Sequence, residues 1–176
     1  MREKKEHTGF DGTKHKIGEE IEMARSTFKA TAQLGEKFQV RTHSRGHTVI
    51  VDEPKELGGT DLGQNPVELI LSALGACQSI VIQTYAEKFD ITVDALRIEL
   101  EGDLDLDGFL DKSDVRPGFS DVRYQVFLKT DAPEAKVKEF LQFVEAHCPV
   151  ADTIAHPVNL VSSGFVIEKD QRTPTT

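Results

Sequence analysis

The chain has 176 residues, and 38% of them are hydrophobic, which suits one domain with a single packed core. Its 30 acidic and 21 basic residues give a formal net charge of -9, which disfavours binding to nucleic-acid phosphates or anionic lipids. No apolar run approaches the roughly 20 residues of a membrane helix, and residues 1–25 carry charges throughout. We therefore predict a cytoplasmic protein that binds neither nucleic acid nor membrane.

Differences in composition along the chain predict its domain organisation. Residues 1–26 are rich in charge and poor in large apolar side chains, so we expect an N-terminal arm that forms no core of its own. Residues 27–168 carry the patterns of strands and helices and are predicted to form one domain. Residues 169–176 are predicted to be a frayed C-terminal tail.

Alternation of apolar and polar residues predicts three strands at the start of the domain. The first covers residues 28–34, and the next two, at 38–43 and 48–52, form a hairpin through a turn at 44–46. Residues 52–64 have the Pro, Gly and Asp content of an irregular loop that is long enough to enclose a site.

The helix that follows this loop is the clearest local signal. Asn65 is a good N-cap, Pro66 fits the first helical position, and Glu68 at the third position completes a capping box. Nearly every residue from 69 to 82 is apolar, which predicts a core helix buried on every side. We expect it to continue to about Lys88, and at roughly 35 Å it is long enough for a second subunit to cover part of it.

The second half of the domain is predicted to contain a hairpin, two helices and a last strand. These elements are strands at 96–100, 122–128 and 158–167, and helices from about 131–133 to 147 and over 150–154. The first of these helices ends near His147, because Pro149 restricts the conformation of the residue before it.

An acidic segment between the hairpin strands has the spacing of an EF-hand calcium loop. The matching residues are Asp103, Asp105, Asp107, Gly108, Leu110, Asp111 and Asp114. Strand-like rather than helical segments flank it, and Asp and Gly also fill ordinary solvated loops, so we favour a loop without a metal. The histidines form no close ligand pair and there is no C-x-x-C motif, so no metal site is predicted.

The two cysteines are the residues that can carry chemistry. Cys77 lies in the apolar helix and Cys148 immediately precedes Pro149. A cysteine in an apolar helix is most often an unreactive small side chain. A reactive thiolate needs a cation, a hydrogen-bond donor or a helix N-terminus, and a second thiol can condense with its sulfenic acid. The pair therefore has two interpretations, inert core residues or an attacking and a resolving thiol.

Three motifs resemble the OsmC/Ohr family of osmotically inducible and organic-hydroperoxide-resistance proteins. They are Pro54-Lys55-Glu56-Leu57-Gly58-Gly59, the helix start Asn65-Pro66-Val67-Glu68-Leu69 that leads to Ala76-Cys77, and His147-Cys148-Pro149-Val150. Their order and spacing agree with the family, and the resemblance spans about Thr27 to Ile167.

The resemblance implies both a fold and an activity. The fold is α+β, with antiparallel sheets wrapped around two central helices in an intertwined homodimer whose sites lie at the subunit interface. The activity is reduction of organic hydroperoxides without a cofactor. A residue like Cys77 attacks the peroxide, one like Cys148 resolves it by disulfide formation, and a dithiol reductant regenerates both thiols.

The remaining site residues of the family match less well. Val67 stands where the peroxidase branch usually has a Glu that orients a catalytic Arg, and the acid comes one residue later as Glu68, which also has its capping role. Lys37 matches the family's Arg position, and Arg41 and Arg45 are the nearest guanidinium groups; a lysine does not replace the planar fork of an arginine.

The predicted catalytic set is therefore Cys77, Cys148, Glu68 and Arg41. The alternative function, motivated by Val67 and Lys37, is a non-catalytic dimeric binding protein with an apolar pocket at the subunit interface.

Overall fold

A computed structural model describes residues 25–168 of the chain. The predicted tail and nearly all of the predicted N-terminal arm lie outside the described residues. The described part is α+β, and it contains a three-stranded antiparallel sheet, a separate two-stranded antiparallel sheet and four α-helices.

The first sheet contains β1 (Thr31–Leu34), β2 (Val40–Ser44) and β3 (His47–Val51), in that order. Strand β1 begins at Thr31, later than expected, and residues 28 and 29 lie beyond the last residue of β2, Ser44, in this register. Gly46, with a φ of 83°, belongs to the tight turn that ends β2 and begins β3. Most side chains of this sheet are exposed in the single chain.

The second sheet is a hairpin of β4 (Ala95–Asp103) and β5 (Asp121–Lys129), paired from Ala95 opposite Lys129 to Asp103 opposite Asp121. Apolar side chains on one face of the hairpin contact α1 (Pro66–Tyr85) and the rest of the core. Gly75 permits this approach, since a Cβ there would lie 2.8 Å from Leu100 Cδ1. The segment between β4 and β5 holds a short helix, α2 (Leu106–Phe109).

Helices α3 (Glu134–Ala146) and α4 (Pro149–Ala155) also contact α1. The buried core joins these elements; its members are Leu74, Val81, Ile82, Ala86, Ile91, Phe140, Val144 and Cys148. Phe140 and Ile82 are fully buried, and the Phe140 ring lies 5.1 Å from that of Phe89. The core therefore lies around the second half of α1 and fixes α3 beside it.

Helix α1 ends at Tyr85, before the predicted end near Lys88. Residues 87–89 form a 3-10 turn instead, and Asp90 reverses the chain with a φ of 48°. The backbone N–H of Ile91 then donates to the carbonyl of Ala86, which places the Ile91 side chain in the core. Burying the Ile91 side chain therefore stabilises the fold more than one further turn of α1 would.

Two further sequence predictions are wrong for the single chain. The outer face of α1 is not buried, because Ile70 is 44% exposed and Ile80 is 66% exposed. Residues 158–167 do not form a strand, and Leu160 and Phe165 are almost fully exposed. A strand needs a hydrogen-bonding neighbour, and no segment among residues 25–168 pairs with this one.

Candidate active site

The fold brings the two cysteines together although 71 residues separate them. Both thiols are free, and the Cys148 thiol donates to Cys77 Sγ across a sulfur–sulfur distance of 3.2 Å. A disulfide needs the two sulfurs about 2.05 Å apart, so a shift of about 1 Å would allow the bond to form. The arrangement can therefore pass between a dithiol and a disulfide.

Helix packing places the Cys148 sulfur beside α1. Phe140 and Val144 on α3 are buried in the core, and α3 ends at Ala146, two residues before Cys148. Cys148 is the N-cap of α4 in an extended conformation, and Pro149 occupies the first helical position. The Ala151 backbone N–H donates to the Cys148 sulfur at 3.4 Å. Cys148 itself is only 1% exposed.

The surroundings of Cys77 favour its neutral thiol in the single chain. Burial raises the pKa of Cys77 above its usual value, and the Cys148 thiol raises it further. The backbone N–H of Val150 opposes these effects by hydrogen bonding to the sulfur. Within residues 25–168, no Lys or Arg contributes to the pKa of this thiol.

Glu68 performs its capping role. Its Oε2 accepts from the Asn65 backbone N–H at 2.9 Å, while the Asn65 side chain accepts from the Glu68 N–H at 2.9 Å. Cys77 follows nine residues later, which places it about 13 Å farther along the helix and on the opposite face. Within one chain, the Glu68 carboxylate is therefore far from the thiol pair.

Arg41 and the other cations of the first sheet also lie away from the thiols of their own chain. Arg41 is exposed on β2, opposite Ile50 of β3. Lys37 and Arg45 have positive φ angles of 52° and 48° in the two turns of the sheet. The sequence thus predicted a set of four site residues, of which one chain brings together only Cys77 and Cys148.

Three polar residues near the thiols were missed by sequence reasoning. Gln78 follows Cys77 directly, is only 2% exposed, and its Oε1 has no hydrogen-bond partner. The Tyr124 hydroxyl lies within interaction range of Gln78, Glu145 and Cys148. Burial and the Glu145 carboxylate raise the pKa of Tyr124. Gln78 alone had a signal in the sequence, as an isolated amide in an apolar helix.

Comparison with known proteins identifies the family. The OsmC-like protein family matches residues 59–163, a region that holds Cys77, Cys148 and all four helices. The chain belongs to the OsmC-like family. No curated protein matches the sequence.

Solved structures share the OsmC-like fold. An OsmC-like protein from Mycoplasma pneumoniae is 24% identical with a TM-score of 0.65, over 74% of this chain and 88% of that one. An organic hydroperoxide resistance protein OsmC from Legionella pneumophila is 21% identical with a TM-score of 0.54, over 74% and 90%. An organic hydroperoxide resistance protein from Elizabethkingia anophelis is 18% identical with a TM-score of 0.53, over 74% and 89%.

Within residues 25–168, one helix has the length and apolar composition of a membrane span, Pro66–Tyr85. It is the core helix α1, which contacts β4, α3 and α4. Core helices of soluble proteins have the same composition. The fold and this packing are those of a non-membrane protein.

A buried aspartate organises the loop that leads to α1 of the OsmC-like domain. Asp52 is 1% exposed and accepts from the backbone N–H groups of Glu53, Thr60 and Leu62 and from the Thr60 hydroxyl. These hydrogen bonds, above all that of the Thr60 hydroxyl, hold the pKa of Asp52 below its usual value. The loop closes tightly, since a Cβ on Gly59 would lie 1.8 Å from the Glu53 carbonyl oxygen.

Replacing Asp52 with asparagine should reduce the acid sensitivity of this protein. The lowered pKa means that the stabilisation by Asp52 is complete above the pKa of an unfolded aspartate, about 3.9, and is lost as the pH falls through the lower folded value. We expect the variant to be less stable at pH 7 and to show a shallower loss of stability below pH 4. Urea unfolding between pH 7 and pH 3 measures both effects.

The matched control is Asp61→Asn, an exposed acid of the same loop. This variant should have the same stability at pH 7 as the parent protein and should lose stability below pH 4 at the same rate per pH unit. If the parent protein and Asp52→Asn lose unfolding free energy equally steeply below pH 4, the role assigned to Asp52 is contradicted.

The acidic segment does not form a calcium site among the described residues. Arg123 binds the Asp103 carboxylate at 2.6 and 3.0 Å, and Asp105 caps α2 by accepting from the Asp107 N–H at 2.9 Å. Residues 25–168 contain no group of three or more His, Cys, Asp or Glu side chains that could hold a metal. The carboxylates of Asp103 and Asp105 therefore have protein partners.

Proposed function

We propose that the chain is a cysteine-based peroxidase that reduces organic hydroperoxides and acts in oxidative or osmotic stress defence. The observation that carries this proposal is the 3.2 Å distance between the free sulfurs of Cys77 and Cys148. Membership of the OsmC-like family supports it, as do fold neighbours named organic hydroperoxide resistance proteins.

The proposed cycle uses only the two thiols, the peroxide and a dithiol. The Cys77 thiolate attacks the terminal oxygen of the hydroperoxide, the O–O bond breaks, and the alcohol leaves with a proton, which makes a sulfenic acid. The Cys148 sulfur then attacks Cys77, water leaves, and a disulfide forms. A dithiol reductant exchanges with this disulfide, becomes oxidised and restores both thiols.

Apolar side chains beside the thiol helix suit an organic peroxide. A groove of about 570 Å³ lies between the first turns of α1, the end of α4 and the end of the hairpin; Val67, Ile70 and Ile154 are apolar parts of its wall, and Arg116 and Asp121 are charged parts. Such a surface binds an alkyl or aryl group through burial of apolar area. Hydrogen peroxide has no apolar part to bury there, so we expect organic hydroperoxides to be the better substrates.

Activation of Cys77 is proposed to require a second subunit. Burial holds the thiol neutral, and the single chain supplies no cation to counter this effect within residues 25–168. Lys37, Arg41 and Arg45 lie on a sheet that leaves most of its side chains exposed. In an intertwined dimer this sheet would bring Arg41 to the partner's Cys77, and the Glu68 proposed to orient Arg41 is that of the chain that carries Arg41.

Exposed apolar surface supports the homodimer. The outer face of α1 presents Ile70 and Ile80, and the extended segment at 158–167 presents Leu160, Phe165 and Val166. Surfaces of this kind usually mark an interface between proteins. Light scattering should give twice the mass of the chain in solution, and a monomer would contradict the proposed source of activation.

We expect the enzyme to work in the cytoplasm, where a reducing environment regenerates thiols. The test is a free-thiol count and an intact mass after brief exposure of the reduced protein to one equivalent of cumene hydroperoxide. Rapid loss of both thiols, with a mass decrease of two hydrogen atoms, is the expected result. Thiols that stay reduced over many minutes would overturn the proposal.

The alternative is a dimeric binding protein that keeps the fold and an interfacial apolar pocket without efficient catalysis. The raised pKa of Cys77 favours it, because a neutral thiol is a poor nucleophile. The two functions predict different pKa values for Cys77 when the protein is in solution. Thiol alkylation against pH should give a value below the usual 8.5 for a peroxidase and above it for a binding protein.

A further inference from the structure

A second groove lies beside the thiol pair, between β5 and α3. Its volume is about 500 Å³, within the range of small-molecule sites. Gln78 and Ile82 of α1 contribute to it, with Tyr124 and Val126 on the β5 side and Leu141 on the α3 side. Glu145 also lines this groove, at the same end of α3 as Cys148.

The inner end of the groove holds an unsatisfied acceptor. Gln78 is only 2% exposed, and its Oε1 has no hydrogen-bond partner. A buried carbonyl oxygen without a donor destabilises the folded state, so nearly all such groups in folded proteins are paired. A ligand that donates a hydrogen bond would remove this destabilisation.

The neighbouring groups define the chemistry of that donor. Gln78, Tyr124 and Glu145 all line the groove, and both Gln78 and Glu145 are close enough to influence the Tyr124 hydroxyl, so an amide, a hydroxyl and a carboxylate lie near one another there. An ammonium group has three N–H donors and a positive charge, which match three acceptors and one carboxylate. Burial and the Glu145 charge raise the pKa of Tyr124, which keeps its hydroxyl neutral beside such a cation.

The rest of the groove suits an apolar chain. Val126, Val137 and Leu141 are apolar parts of its wall, and the second carboxylate of the lining, Glu134, is four residues from Lys138 on α3. Lys138 also lines the groove, but seven residues before Glu145 on α3, about 10 Å away along the helix. The cationic head therefore belongs at the Glu145 end, where no lysine lies within one helical turn on α3.

We propose that this groove binds a small primary alkylammonium, with its head on Gln78 Oε1, the Tyr124 hydroxyl and the Glu145 carboxylate, and its chain along β5 and α3. The site is distinct from the groove proposed for the peroxide, and it does not depend on the peroxidase activity. Gln78 follows Cys77, and α3 ends two residues before Cys148. A bound ligand would therefore reduce the motion of the backbone next to both thiols.

Calorimetric titration of the reduced full-length protein with n-hexylammonium chloride tests the site. We expect saturable binding, with n-hexanol binding at least about tenfold more weakly because it carries no charge for Glu145, and n-hexanoate not binding. Glu145→Gln and Gln78→Leu should each weaken hexylammonium binding about tenfold or more. Glu139→Gln, on the exposed face of the same helix, should change it less than twofold.

Three results of the titration would contradict an ammonium site in this groove. Absence of saturable hexylammonium binding would overturn the proposal and would mean that a second subunit or a rearranged Tyr124 satisfies Gln78. Equal affinities for hexylammonium and hexanol, or equal losses in Glu145→Gln and Glu139→Gln, would overturn it as well. The ligand comparison uses the unmodified protein, so it stands even if a variant folds poorly.

Discussion

Replacing Cys77 with serine should reduce hydroperoxide turnover to the rate of the uncatalysed reaction. A serine hydroxyl can neither form a thiolate nor be oxidised by the peroxide, so the first bond-forming step is lost. The Cys148 sulfur remains, but it is 1% exposed and cannot meet the substrate without opening of the core. Consumption of cumene hydroperoxide in the presence of dithiothreitol measures the effect.

Cys148→Ser is the matched variant for this prediction. Without dithiothreitol it should consume one equivalent of hydroperoxide at Cys77 and then stop. Mass spectrometry should then find one added oxygen on Cys77, because no neighbouring thiol condenses with the sulfenic acid. Full turnover by Cys77→Ser, or an unoxidised Cys77 in Cys148→Ser, would contradict the assigned roles.

Replacing Phe140 with alanine should lower the free energy of unfolding by about 3–5 kcal/mol. Phe140 is fully buried, packs on Phe89, and is the largest of the completely buried side chains. Its removal leaves a cavity between α1 and α3, and α3 leads directly into Cys148. We therefore expect slower disulfide formation in the folded variant as well as lower stability, measured by urea unfolding and by loss of thiols after oxidation.

The neighbouring residue supplies the control for this effect. Glu139→Ala changes an exposed position on the same helix and should alter the unfolding free energy by no more than about 0.5 kcal/mol. A loss below about 1 kcal/mol in Phe140→Ala would mean that the core around α1 and α3 is looser than the structure indicates.

Local signals in the sequence were sufficient for most of the elements. The Asn65 and Glu68 capping box, the proline at the start of α1 and the alternating patterns of the hairpin each appear in the structure as predicted. Such signals succeed because capping and side-chain periodicity depend on residues three or four positions apart. The motifs around Cys77 and Cys148 likewise identified the family.

Long-range burial decided the features that the sequence misplaced. The end of α1 depends on the burial of Ile91, which no pattern of neighbouring residues predicts. The apolar residues Val158, Leu160 and 165–167 predicted a strand, but a strand forms only where another backbone lies beside it. The face of α1 that the sequence predicted to be buried is exposed for a similar reason, because only a second subunit could bury it.

In the candidate site, too, local signals predicted some features and long-range packing determined others. The sequence by itself determined that two thiols stand in family-like settings and that α1 begins at a capping box. Only the tertiary structure decided that the two sulfurs lie 3.2 Å apart, that burial raises the pKa of Cys77, and that Glu68 caps its own helix far from them. Distances and burial arise from the packing of segments that are remote in sequence. That packing depends on many residues together and cannot be read from any one position.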